Sequence, residues 1–118
     1  MTTTITDKIF NASVERYDSE GWKFTPSIDF TGYTLVYMVK QNRNDNDSVA
    51  IISLTPELIT EGALKKIVVV FDAETFKGIN CGTYYHALKA YKDLNAVTII
   101  KGKLSLEGEY IEAPVVEV

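Results

Sequence analysis

His86 is the only histidine and Cys81 the only cysteine in the chain, and they are the two residues whose types could support nucleophilic catalysis. A thiolate nucleophile needs a base or a positive neighbour within hydrogen-bond reach, together with donors set around the charge that develops on the substrate. The two stand five positions apart, a spacing that does not bring them onto a common face of a strand, and nothing nearby marks an oxyanion site. The expectation is that His86 is a semi-buried strand residue, that Cys81 fills space beside a turn, and that the chain is not an enzyme. Asn44-Asp-Asn-Asp-Ser48 places oxygen ligands at alternate positions as a calcium loop does, but it lacks that loop's glycine and distal bidentate Glu. It reads as a solvated turn, so no metal or cofactor is expected.

Two further groups of residues can act through contact rather than reaction. Asp72 is placed to cap a single helical turn that Gly78 ends in the left-handed conformation, and Tyr84 follows at the spacing at which a sandwich tyrosine bonds back to the upstream backbone. These three form a candidate structural corner. Trp22, Tyr85, Tyr91 and Tyr110, with Val116 and Val118 near the end, form a candidate interface, because Tyr and Trp bury large areas with little rotamer loss.

The elements that must hold these residues are short and two-fold patterned. A first strand is expected over 8–17, ended by the turn formers Asp18-Ser-Glu-Gly21. A weaker strand or strand-like loop covers Trp22 to Phe30, where Pro26 lacks a ladder donor. Tyr33 to Lys40 is apolar on both parities, as in a strand covered on each side. The octet Gln41 to Ser48 has no apolar residue and reads as an exposed loop. Val49 to Leu54 resumes the pattern, and Thr55-Pro-Glu57 offers the cap and first turn of a short helix before Gly62. Lys66 to Phe71 is a buried strand by length and β-branching. Gly82 to Tyr91 alternates, with Tyr84, His86, Leu88 and Ala90 on the inward face. A hairpin over 92–96 returns the chain through Val97 to Leu106, where Gly102 marks a bulge or close approach. The sum is an all-β, immunoglobulin-like antiparallel β-sandwich of about seven strands with one short helical turn. It forms one domain over 1–118, with its core at about 8–108 and residues 109–118 as an edge strand or tail.

Composition bounds the partners. The chain has 118 residues, 46% of them hydrophobic and 24% charged, so an independent core is expected. Twelve basic residues against sixteen acidic ones leave a formal charge of −4, and no stretch concentrates Lys or Arg, so nucleic acid is not an expected partner. The apolar runs 67–71 and 97–100 are far shorter than the roughly 20 residues that cross a bilayer, and membrane insertion is not expected. The start, Met1-Thr-Thr-Thr-Ile-Thr-Asp-Lys, lacks the basic and apolar regions of a secretory signal, and a lone cysteine suits a reducing compartment. Synthesis in the cytoplasm is the simplest reading.

Three blocks then align with a known pattern: Ile28-Asp-Phe-Thr-Gly-Tyr-Thr-Leu35, Ile67-Val-Val-Val-Phe-Asp-Ala-Glu-Thr-Phe76, and Gly82-Thr-Tyr-Tyr-His-Ala-Leu88 with Lys101-Gly-Lys-Leu-Ser-Leu106. In this order they resemble the immunoglobulin-like domain of phage baseplate upper proteins and related small prophage tail proteins. Phe30 stands where that pattern has Leu, His86 where it has Tyr, and 22–27 looks inserted. The resemblance implies a non-enzymatic virion part, made in the bacterial host cytoplasm, that contacts other tail proteins or copies of itself. Read from its exposed aromatics instead, the chain would be a fibronectin-type module that binds a sugar or a surface.

Overall fold

Alternation with a period of two buries every second side chain against a facing layer, and the chain repeats this device along nearly its whole length. In the computed structural model, which describes residues 2–5, 8–15, 19–26, 28–72 and 74–108, the result is nine strands: β1 (Thr2–Ile5), β2 (Ala12–Glu15), β3 (Glu20–Phe24), β4 (Thr34–Lys40), β5 (Ile52–Leu54), β6 (Glu57–Glu61), β7 (Leu64–Phe71), β8 (Gly82–Lys92) and β9 (Asn95–Glu107). They form a four-stranded sheet in the order β1-β3-β7-β6 and a five-stranded sheet in the order β2-β9-β8-β4-β5. The two stack face to face as an immunoglobulin-like β-sandwich. No helix among the described residues is long and apolar enough to cross a membrane.

One core fills the space between the sheets. Trp22, Phe24, Ile67, Val69 and Phe71 come from the smaller sheet, and Leu35, Tyr37, Val39, Leu88, Ile100, Leu104 and Leu106 from the larger. At its centre Trp22 meets Phe10 and Phe71 edge to face, each with ring centroids 4.9 Å away, the arrangement that ring quadrupoles favour. The expected inward set on β8, namely Tyr84, His86, Leu88 and Ala90, is buried as the alternation requires.

Several local expectations need correction. There are nine strands rather than about seven, and the short helical turn lies elsewhere: Asp47–Val49 forms one turn of 3-10 helix, whereas residues 74–78 are a chain of turns. No helix starts at Thr55-Pro-Glu57; Glu57–Glu61 is instead strand β6, paired antiparallel with β7 around the two-residue turn Gly62-Ala63, with Gly62 at φ 64°. The cap signal lost because Leu58 and Ile59 gain partners and partial burial in the sheet, a tertiary gain that one helical turn cannot match. Two ladders are parallel rather than antiparallel, β1 with β3 and β2 with β9. The amino-terminal segment therefore contributes to both sheets. Finally, β4 is covered on one side only, so Val36 and Met38 remain half-exposed on the outer face of the larger sheet.

Candidate functional site

A half-open groove of about 600 Å³ lies on that outer face. Its floor follows from strand register. Across β4, β8 and β9, Lys40 faces Tyr85 and Tyr85 faces Lys103 in one row, and Met38, Ala87 and Lys101 form the next. In the third row Val36 meets Lys89, which meets Thr98. Ala87 at the centre has no side chain beyond Cβ, so the longer residues around it become walls. Tyr85 and Tyr91 sit six residues apart on β8, roughly 20 Å at strand rise, and mark its two ends.

The charge in this groove is not visible in the linear sequence. Lys40 donates to Asp47 Oδ1 at 2.7 Å and to the carbonyl of Asp45 at 2.9 Å, which ties the loop 41–47 to β4. The Lys40 bond holds the Asp47 carboxyl below its ordinary pKa, and the charge of Lys89 assists. Arg43, Lys89, Lys101 and Lys103 form no ion pair among the described residues, although Lys89 Nζ lies 5.6 Å from the centre of the Tyr91 ring. Two lysines at alternate positions on one strand lie about 7 Å apart and repel by about 0.6 kcal/mol in water. An acidic protein has thus gathered unpaired cations beside two tyrosines on one open face. A search for Lys or Arg runs could not find this set, because the cations come from two strands and a loop; the outward parity of β8 was its only trace in sequence.

The residues singled out for chemistry are placed apart. Cys81 is exposed, whereas His86 is 3% exposed and points into the core with both ring nitrogens engaged. Its Nε2 lies 2.7 Å from the carbonyl oxygen of Phe10 and its Nδ1 2.8 Å from the Tyr37 hydroxyl. A carbonyl only accepts, so Nε2 carries the hydrogen, and the Tyr37 hydroxyl donates to Nδ1. Burial lowers the pKa of His86 against a smaller opposing effect of the Phe10 bond, and burial raises that of Tyr37. Asp45 and Asp47 in the polar octet face protein donors: Asp45 Oδ2 accepts from the Asn42 amide at 3.2 Å, and Asp47 holds Lys40.

The contact residues divide. Tyr85 and Tyr91 stand half-exposed in the groove. Trp22 does not belong to any interface: it is 4% exposed and sits at the centre of the core, because the parity that groups it with Phe24 is the one facing the other sheet. Tyr110, Val116 and Val118 lie outside the described residues. The corner is built from Asp72, Gly78 and Tyr84. Asp72 Oδ1 accepts from the Glu74 amide at 2.8 Å and from the Thr75 hydroxyl at 3.2 Å. Gly78 adopts φ 81°, and the Tyr84 hydroxyl donates to the carbonyl of Asn80.

No family model and no curated protein matches this chain. Among solved structures, reduced rusticyanin aligns with a TM-score of 0.39 at 12% identity, covering 90% of this chain and 84% of that one. The second immunoglobulin domain of the mouse polymeric immunoglobulin receptor aligns with a TM-score of 0.37 at 10% identity, covering 95% and 100%. Neither likeness carries an argument about what this chain does.

Proposed function

We propose that this chain is a non-enzymatic assembly module of a phage or prophage tail, made in the bacterial host cytoplasm and built into the virion through contacts with tail proteins or further copies of itself. The observation that carries this reading is the open, cation-bearing groove between Tyr85 and Tyr91. It is a surface furnished for contact on a scaffold whose one imidazole is buried and already hydrogen-bonded at both nitrogens. The resemblance of 28–35, 67–76 and 82–106 to the baseplate upper protein domain supplies the biological setting. A protein partner suits the groove better than nucleic acid, because the chain as a whole carries −4 and repels a long polyanion. An antibody against the chain, applied with gold label to particles induced from the strain that carries its gene, should decorate tails; purified particles free of the chain by mass spectrometry would refute the reading.

One observation favours a second reading, a fibronectin-type module for sugars or surfaces: both tyrosines stand on one open face, where rings can stack on a ligand. A glycan array probed with the chain and with Tyr85→Ala/Tyr91→Ala separates the two. Binding lost in the variant supports the sugar module, and an empty array favours assembly.

A further inference from the structure

We infer that the groove on the larger sheet receives the acidic segment 109–118 of a neighbouring copy. This rests on the assembly reading and names the partner. The segment Glu109-Tyr-Ile-Glu-Ala-Pro-Val-Val-Glu-Val118 carries three carboxylates and no cation. The groove offers Arg43, Lys89, Lys101 and Lys103 without ion-pair partners among the described residues, and an apolar floor of Val36, Met38 and Ala87. Acid and apolar residues in the segment thus meet cation and apolar residues in the groove. Length agrees as well: ten extended residues reach about 33 Å, more than the roughly 20 Å from Tyr85 to Tyr91.

Direction argues for a second copy. Strand β9 passes the groove at Thr98, Lys101 and Lys103 and leaves it toward Glu107, so the segment begins beyond the groove on a chain already heading out of it. A copy placed head to tail receives it without a reversal. Such a contact is heterologous, joining different surfaces of the two copies, and it propagates into a ring or a filament.

Sedimentation velocity on the full chain over a range of concentration and salt tests this, with Lys101→Glu/Lys103→Glu, Glu109→Lys/Glu112→Lys and the combination of all four. The expected result is self-association that weakens as salt rises, falls about tenfold or more in either reversed variant, and returns in the combination. A synthetic peptide of residues 107–118 should compete with it. Self-association that ignores all four changes overturns the inference while leaving assembly intact, and a chain that stays monomeric and does not bind the peptide overturns it too. Peptide bound only after 109–118 are deleted places the segment in its own groove and refutes the second copy. Retention on immobilised heparin that Lys101→Glu/Lys103→Glu abolishes, without peptide binding, assigns the groove to a polyanion instead. Absence of the chain from particles would refute the tail setting independently of these results.

Discussion

At the scale of single residues, a polar bond network at the margin of the core is made possible by a missing side chain. Gly102 faces His86 across β8 and β9, and a methyl group there would overlap the Phe10 carbonyl and stand 2.8 Å from Asn11 Oδ1. Only glycine lets residues 10 and 11 close over the strand, where the Phe10 carbonyl accepts from His86 and Asn11 Oδ1 accepts from the Lys103 amide at 2.8 Å. Gly102→Ala should therefore cost about 2–3 kcal/mol by overpacking and loss of a buried bond, measured by urea denaturation. The histidine also makes stability depend on pH. Because burial holds its folded-state pKa below the ordinary value of about 6.5, the unfolded chain binds the proton more readily. Stability should be complete above 6.5, fall as the pH drops through that value, and level off below the folded pKa, with a slope of at most about 1.4 kcal/mol per pH unit. His86→Phe should remove this part of the slope while lowering stability at pH 8 by about 2 kcal/mol, since it orphans the Tyr37 hydroxyl and the Phe10 carbonyl. The burial of Trp22, the chain's single tryptophan, predicts a loss of about 3–5 kcal/mol in Trp22→Ala, whereas the half-exposed Tyr85→Ala should change stability by no more than about 0.5 kcal/mol. Comparable losses in thermal unfolding would contradict their placement.

At the scale of elements, the corner between β7 and β8 was legible because each part has its own local chemistry. Asp72 can bond to the amide two residues on, Gly78 takes a positive φ at no steric cost, and the Tyr84 hydroxyl can reach back four residues. Tyr84→Phe removes the bond to Asn80 alone and should cost about 1 kcal/mol, with amide exchange rising at 79–82 but not in β3; uniform exchange across both sheets would mean that the tyrosine does not pin this turn. Strand β6 was illegible for the converse reason. Thr55-Pro-Glu57 is a sound helix start locally, and only the pairing with β7, reinforced by the Lys23–Glu61 ion pair at 2.6 Å, decides against it. Gly102 signalled a close approach correctly, whereas the irregularity in register falls earlier, between Leu88 and Lys89 on β8. The parallel pairing of β2 with β9 had no local signal, since it joins residues about ninety positions apart.

At the scale of the whole molecule, the sandwich divides its labour between two kinds of surface: facing sheets that share one aromatic core, and an outer face that collects cations against the net charge of the chain. Stability and association should therefore separate. Lys101→Glu/Lys103→Glu, both exposed, should change stability by no more than about 0.5 kcal/mol while altering elution from a cation exchanger; a collapse in stability would show that these lysines support the fold. The parallel ladder of β2 and β9 also bears on how the molecule meets mechanical load. Residues 12–15 and 104–107 run side by side in the same direction, so tension applied at the two ends drags the strands lengthwise past each other. All rungs of that ladder resist together, where a peeled hairpin would yield one rung at a time. A molecule pulled by its two ends therefore stays closed until the whole ladder gives.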